Sequence, residues 1–282
     1  MARVAFIGLG TMGLPIARHF VAAGHDVVSH DIDRARAEGL GAKVADSAAE
    51  AAGCAEFAFT SLPEPAAVEL VAREITGVMP PGGVFVDLST GPPVLARQLA
   101  AELAECGLGV LDAPVSGGPA GAAAATLTVM VGGTESTFAR VEPLLRLIGR
   151  PFRVGGHGAG QTAKLCNNLV AGVTMAALAE ASAIAEREGI DAALLYELLT
   201  TSTGDSRVLR TRYPLPGVDP AHPSSKEYEP LFTLDLIAKD LALALGLGGD
   251  VPVAAAALAA YREAQEAGLG SLDYSAVFLT SR

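Results

Sequence analysis

Residues 3–24 read RVAFIGLGTMGLPIARHFVAAG. Arg3–Ile7 is a short run of β-formers closed by glycine. From Leu14 onward, Leu14, Ala17, Phe20 and Val21 recur at helical spacing until Gly24, a residue suited to end a helix. Between the two runs stands Gly8-Leu9-Gly10-Thr11-Met12-Gly13, a G-x-G-x-x-G joining strand to helix. In that setting the first glycine makes the tight turn. The second lets a pyrophosphate approach the backbone, and the third lets helix and strand pack closely. The unpaired N–H groups of the helix start then face the phosphates. The stretch predicts the opening βαβ unit of a doubly wound sheet, with residues 8–13 cradling a dinucleotide.

The next strand, DVVSH (26–30), ends at Asp31, 18 residues after Gly13. An acidic residue there accepts hydrogen bonds from the adenosine ribose of NAD and repels the 2′-phosphate of NADP. Ile32 follows instead of an arginine that could hold that phosphate, so NAD is the expected cofactor; Arg34, close by, keeps NADP open. The alternation continues through 55–60, 84–88 and 109–111, each followed by turn-formers, with amphipathic helical runs such as Pro93–Cys106 between them. Repeated strand–helix units imply a parallel sheet, and ligands of such sheets bind beyond the carboxyl ends of the strands. Leu62-Pro63, Ser89-Thr90 and Ser116-Gly117-Gly118 fall there. The last offers a hydroxyl and backbone N–H groups to a carboxylate, or is an ordinary glycine turn. An alternating run, 126–131, a helix over 135–148 and a short strand near 152–154 close the domain.

Beyond Gly160 the periodicity is helical throughout. The entry GAGQTAKLCNN (158–168) places Lys164 and Asn168 at i, i+4, on one face of a helix at a domain junction. That helix continues to about Glu188 without proline. Gly172 inside it marks a close helix contact, because glycine costs about 1 kcal/mol there relative to alanine. Further helices are expected over 191–200, 231–246 and 253–267. Tyr213–Pro230, with prolines at 214, 216, 220, 223 and 230, reads as irregular. The expected architecture is an N-terminal Rossmann-type domain, 1–160, and an all-α substrate and oligomerisation domain, 161–282, joined by the long interdomain helix.

These blocks together resemble the β-hydroxyacid dehydrogenases, over essentially the whole chain. FIGLGTMGLPIARHF (6–20) is similar to their cofactor signature, and DAPVSGG (112–118) with TLTVMVGG (126–133) to their substrate signature. GAGQTAKLCNN (158–168) is similar to their catalytic block, and FTLDLIAKDL (232–241) to a C-terminal lysine motif. The stretches 213–228 and 272–278 resemble the 3-hydroxyisobutyrate branch. Ala125 stands where the family usually has glycine. The resemblance implies Lys164 as the catalytic lysine, with Ser116, Gly117, Gly118 and Asn168 holding the substrate. It implies cofactor contacts from Leu62, Pro63 and Thr90, and Lys239 at the nicotinamide end. The activity implied is NAD-dependent oxidation of 3-hydroxyisobutyrate in valine breakdown. A tartronate or succinic semialdehyde reductase, or a cofactor-binding domain without catalysis, are the alternatives. Lys164 is the expected general base, with burial and a neighbouring positive charge such as Lys239 favouring its neutral amine. His157 precedes the helix and reads as a turn residue.

Composition bounds the rest. The net charge of −11 argues against non-specific nucleic-acid or membrane-surface binding, which needs basic patches. Cys54, Cys106 and Cys166 are scattered, as in a reduced cytosolic protein, and form no zinc pattern. No targeting segment is expected ahead of the first strand, and no apolar run free of turn-formers is expected to approach a membrane span. A cytoplasmic protein with no metal is expected. The apolar, alanine-rich long helix points to burial between subunits, hence a homodimer or homotetramer.

Overall fold

Strand β1 (Arg3–Ile7) shows why the sheet is covered on both sides. Val4 and Phe6 enter one core, while Ala5 and Ile7 enter a second on the opposite face, the period-2 alternation of a strand buried twice. The computed structural model describes residues 1–281. Its remaining strands are β2 (Asp26–His30), β3 (Lys43–Val44), β4 (Phe57–Thr60), β5 (Val84–Asp87), β6 (Gly109–Asp112), β7 (Val115–Ser116), β8 (Leu127–Gly132) and β9 (Gly149–Gly155). Strands β3-β2-β1-β4-β5-β6 are parallel in that order. β8 runs antiparallel to β6 and β7, and β9 pairs parallel with β8. The chain reverses its direction of travel across the sheet between β1 and β4, the switch point where doubly wound sheets bind dinucleotides.

The helices between them are α1 (Gly13–Ala22), α2 (Arg34–Glu38), α3 (Ala48–Ala52), α4 (Pro65–Thr76), α5 (Pro93–Glu105), α6 (Gly118–Ala123) and α7 (Glu135–Leu145). Residues of α1, α2, α6 and α7 line the first core; those of α3, α4 and α5 line the second. Then follow α8 (Ala159–Arg187), α9 (Ala192–Thr200), α10 (Arg207–Arg212), α11 (Leu234–Leu245) and α12 (Pro252–Glu266). The chain divides into two compact units. The first is Met1–Lys164 and the second begins at Leu165, inside α8 and four residues past the expected boundary.

In the second unit Met175, Leu178 and Ala179 of α8 pack with Leu209, Ile237, Leu241, Leu258, Tyr261 and Phe278. The Gly172 contact is present. A Cβ there would lie 3.1 Å from Leu241 Cδ1, and Tyr261 Oη donates to the Gly172 carbonyl at 3.0 Å. Residues 213–230 are irregular apart from a 3-10 turn, Pro223–Lys226, pinned by Ser224 Oγ donating to the carbonyls of Tyr213 and Leu215 at 2.7 and 3.1 Å.

Several expectations need correction. Ser116-Gly117-Gly118 is no plain loop: Ser116 ends β7, and Gly118 starts α6. α10 and the 3-10 helix Tyr274–Thr280 were not expected at all. α8 is long and apolar enough to cross a bilayer by length and composition, against the expectation that no run comes near. Half of its most apolar window is buried within the protein, as in a core helix.

Candidate functional site

The residues expected to contact the cofactor follow the carboxyl ends of the strands, except Lys239, which lies on α11 in the second unit. The glycine turn leaves β1 with Gly8 N donating to His30 O at 2.9 Å, which ties it to the end of β2. Asp31, next in line, accepts from Leu9 N through Oδ2 at 2.6 Å and from Asp33 N through Oδ1 at 2.8 Å. Its spacing marks it as a ribose ligand; that it also fastens the glycine turn is invisible in the sequence. A carboxylate has about four acceptor positions, so both duties are compatible. Arg34, the residue that kept NADP open, is engaged with Glu38 at 3.1 Å and with Asp46. Arg36 is paired with Asp33 at 3.2 Å. The acidic company of Asp31, Asp33, Glu38 and Asp46 disfavours a further phosphate dianion.

The turn itself fits a dinucleotide. A Cβ on Gly13 would overlap the Gly8 carbonyl oxygen, so that glycine is demanded by helix–strand packing. Gly10 is different. A Cβ there would find only Arg36 Nη1, at 3.9 Å, and its φ is not in the left-handed region. Nothing in the protein requires a glycine at position 10; a ligand closing on that backbone does. Thr11 and Met12 complete the turn ahead of α1.

Further along the edge, Leu62 and Pro63 follow β4, and Leu62 N donates to Ser89 Oγ at 2.9 Å. Thr90 lies just beyond, after β5. Asp87, at the end of β5, is buried and accepts from Thr60 Oγ1 at 2.8 Å and Ser89 N at 3.0 Å. Burial pushes its carboxyl up to about 6, against the pull of those hydrogen bonds. In register beside it, Asp112 ends β6 and is also buried. Its carboxyl is raised by burial and held back by hydrogen bonds from Gly158 N at 2.8 Å and Gln161 N at 2.9 Å. Those two amides belong to the start of α8. Gln161 completes the joint: its Oε1 accepts from Gly91 N at 2.9 Å and its Nε2 donates to Ser89 O at 2.8 Å.

Lys164, one turn beyond Gln161, is only 8% exposed. A lysine is seldom so buried without a partner or a task. On the same face of α8, in the second unit, Asn168 is 5% exposed. Its Nδ2 donates to Asp240 Oδ2 at 2.5 Å and its Oδ1 accepts from Asn167 Nδ2 at 2.9 Å. Asp240 is fully buried on α11, and its other oxygen lies 3.3 Å from Lys239 Nζ. Lys239 therefore stands beside its own counter-charge. Asp240 was missed because it and Asp235, five residues apart on α11, form no spacing that marks a site. Ser116 and Gly117 sit where β7 meets α6, and Gly117 and Gly118 take φ values of +139° and +64°. The first unit thus offers a dinucleotide cradle and a buried amine suited to take a proton, and the second unit a carboxamide held by Asp240.

Two family models cover the chain. Residues 3–163 match the NAD-binding domain of 6-phosphogluconate dehydrogenase. Residues 158–280 match the model described as NAD-binding of NADP-dependent 3-hydroxyisobutyrate dehydrogenase. A probable 3-hydroxyisobutyrate dehydrogenase of Mycobacterium tuberculosis is 39% identical over 100% of this chain and 98% of its own length. An NAD-dependent L-serine dehydrogenase of Pseudomonas aeruginosa is 38% identical over 98% and 97%. Among solved structures, the Mycobacterium tuberculosis 3-hydroxyisobutyrate dehydrogenase with L-serine superposes with a TM-score of 0.93. It is 38% identical and covers 100% of this chain and 99% of that one.

Proposed function

We propose, for a chain that belongs to the 3-hydroxyisobutyrate dehydrogenase family of NAD-dependent oxidoreductases acting on CH–OH, that the substrate is 3-hydroxyisobutyrate. The product is methylmalonate semialdehyde, and the setting is valine breakdown in the cytoplasm. The observation that carries the reading is the buried Lys164 one helical turn from the buried Asn168. Bound NAD supplies the hydride acceptor. The chain supplies the rest: Lys164 Nζ takes the hydroxyl proton, and Asn168, its carboxamide held by Asp240, orients the hydroxyl. Ser116 and the amides of Gly117 and Gly118 hold the carboxylate; Lys239 completes the nicotinamide end. L-Serine has the same CH₂OH group β to a carboxylate. The relative named as a serine dehydrogenase therefore makes L-serine the substrate to test first beside 3-hydroxyisobutyrate.

General-base removal is typically worth ~10²–10⁴-fold, and Lys164→Ala is expected to lower kcat by that much. Affinity for NADH, read by fluorescence titration, should hold. Lys164→Arg should fail equally, because a guanidinium keeps its proton. Turnover of Lys164→Ala near the wild-type rate would leave only the cofactor-binding reading.

The assembly we propose is a homo-oligomer. α9, with the sequence AALLYELLT, buries none of its residues within the chain, and Leu194 and Leu198 are each half exposed. Exposed apolar faces of this kind are normally covered. Light scattering should give a dimer or tetramer, and Leu194→Asp with Leu198→Asp should lower the mass; a monomeric wild type refutes it.

A further inference from the structure

α8 begins after Gly155-Gly156-His157-Gly158, with no serine, threonine, aspartate or asparagine at its entry to cap it. The cap comes from 46 residues upstream. Asp112, the last residue of β6, places one carboxylate oxygen on Gly158 N and the other on Gln161 N. A carboxylate on the first-turn amides satisfies orphan donors and complements the helix dipole. The fit is tight from two sides. A Cβ on Gly160 would lie 2.9 Å from Asp112 Oδ2, and one on Gly132 2.7 Å from the same atom. Gly132 leaves room for the carboxylate itself, and Gly160 also for the backbone carbonyls of Met130 and Asp112.

The cap by itself would hold the helix end but leave it free to turn about its axis. Gln161 removes that freedom. Its carboxamide spends both ends on the loop after β5, accepting from Gly91 N and donating to Ser89 O, and the side chain is 2% exposed. One attachment at the helix end and one on its flank fix both the position and the rotation of the first turn. Lys164 follows Gln161 by three residues on the same continuous helix. A turn of about 10° about a helix axis carries a lysine Nζ roughly 1 Å, and a displacement of that size at a reacting group can cost 10²-fold.

We propose that Asp112 and Gln161 are positioning residues for Lys164, a two-point latch that sets where the amine stands relative to the nucleotide-binding edge of the sheet. The proposal rests on the reading of Lys164 as the base. Both side chains are spent on backbone groups, and both act through the helix start.

The test is a double-mutant cycle on the full-length enzyme, with kcat and KM measured for 3-hydroxyisobutyrate and NAD. Asp112→Asn keeps the shape but turns an N–H₂ toward one of the two amides. It is expected to lower kcat 10- to 100-fold while KM for NAD stays within threefold. In the Lys164→Ala background the same substitution should change kcat less than twofold, because the group it positions is gone. Gln161→Met, which removes both flank bonds, should follow the same pattern and carries the test if Asp112→Asn is poorly folded. Equal losses in both backgrounds would show a general structural role and overturn the proposal. So would kcat within twofold of wild type for both single variants. A Lys164→Ala enzyme near full activity would overturn the base assignment first, and the latch with it.

Discussion

Asp31 and Ala125 show what single residues contribute. Asp31 accepts from the Leu9 amide, and by its place after β2 it is the residue we propose for the ribose. Asp31→Ala should therefore weaken NAD binding outright and also narrow the preference for NAD over NADP, since the repulsive charge is gone. Comparing kcat/KM for the two cofactors checks this. An unchanged ratio would mean that the acid plays no part in selection. Ala125 lies at φ +55°, in the left-handed region, which explains why the family favours glycine where this chain has alanine. That conformation costs a residue with a Cβ about 1 kcal/mol, so Ala125→Gly should raise the stability measured by urea unfolding by up to that amount. The cost of the position is a backbone fact, absent from the composition of the sequence. The position itself was legible as a departure from the family pattern.

Elements differ in how plainly the chain announces them. β1, α1 and α8 were legible because their periodicity runs long enough to repeat: five strand residues before a glycine turn, or many helical turns without proline. β3 and β7 have two residues each, and α6 and α10 six. A segment of that length completes no pattern, and what holds it is tertiary pairing, such as Val115 and Ser116 against β8. The Asp112 cap was illegible for the same reason: its partners are 46 and 49 residues away. The glycine turn yields a prediction that separates ligand from fold. Gly13→Ala forces a Cβ onto the Gly8 carbonyl and should lower the thermal midpoint sharply. Gly10→Ala has space within the protein and should melt near the wild-type temperature while binding NAD at least several-fold more weakly. Calorimetry with and without NAD distinguishes them; a Gly10→Ala protein with normal affinity would contradict the cradle.

At the scale of the whole molecule, two neighbouring buried carboxyls make stability respond to pH in an uncommon direction. Asp87 goes from an ordinary 3.8 when unfolded to about 6 when folded. Between those values the folded state binds the extra proton, so this contribution is complete below pH 3.8 and is lost as pH rises through 6. At 1.36 kcal/mol per unit the cost at neutral pH is on the order of 3 kcal/mol. Asp112 is shifted the same way. Asp87→Asn keeps an acceptor for Thr60 and Ser89 N. Its stability relative to wild type should stay level between pH 8 and 7 and then fall as pH is lowered through 6 to 4.5, by urea unfolding at each pH. A difference that does not vary with pH would show that Asp87 does not titrate in this range. The Asp112 joint also bears on where the first unit ends. A first unit cut short of Gly158 would hold all nine strands and a buried Asp112 carboxylate without the two amides that satisfy it. The first unit is therefore complete only with the start of α8 in place, and that same stretch of chain carries Lys164.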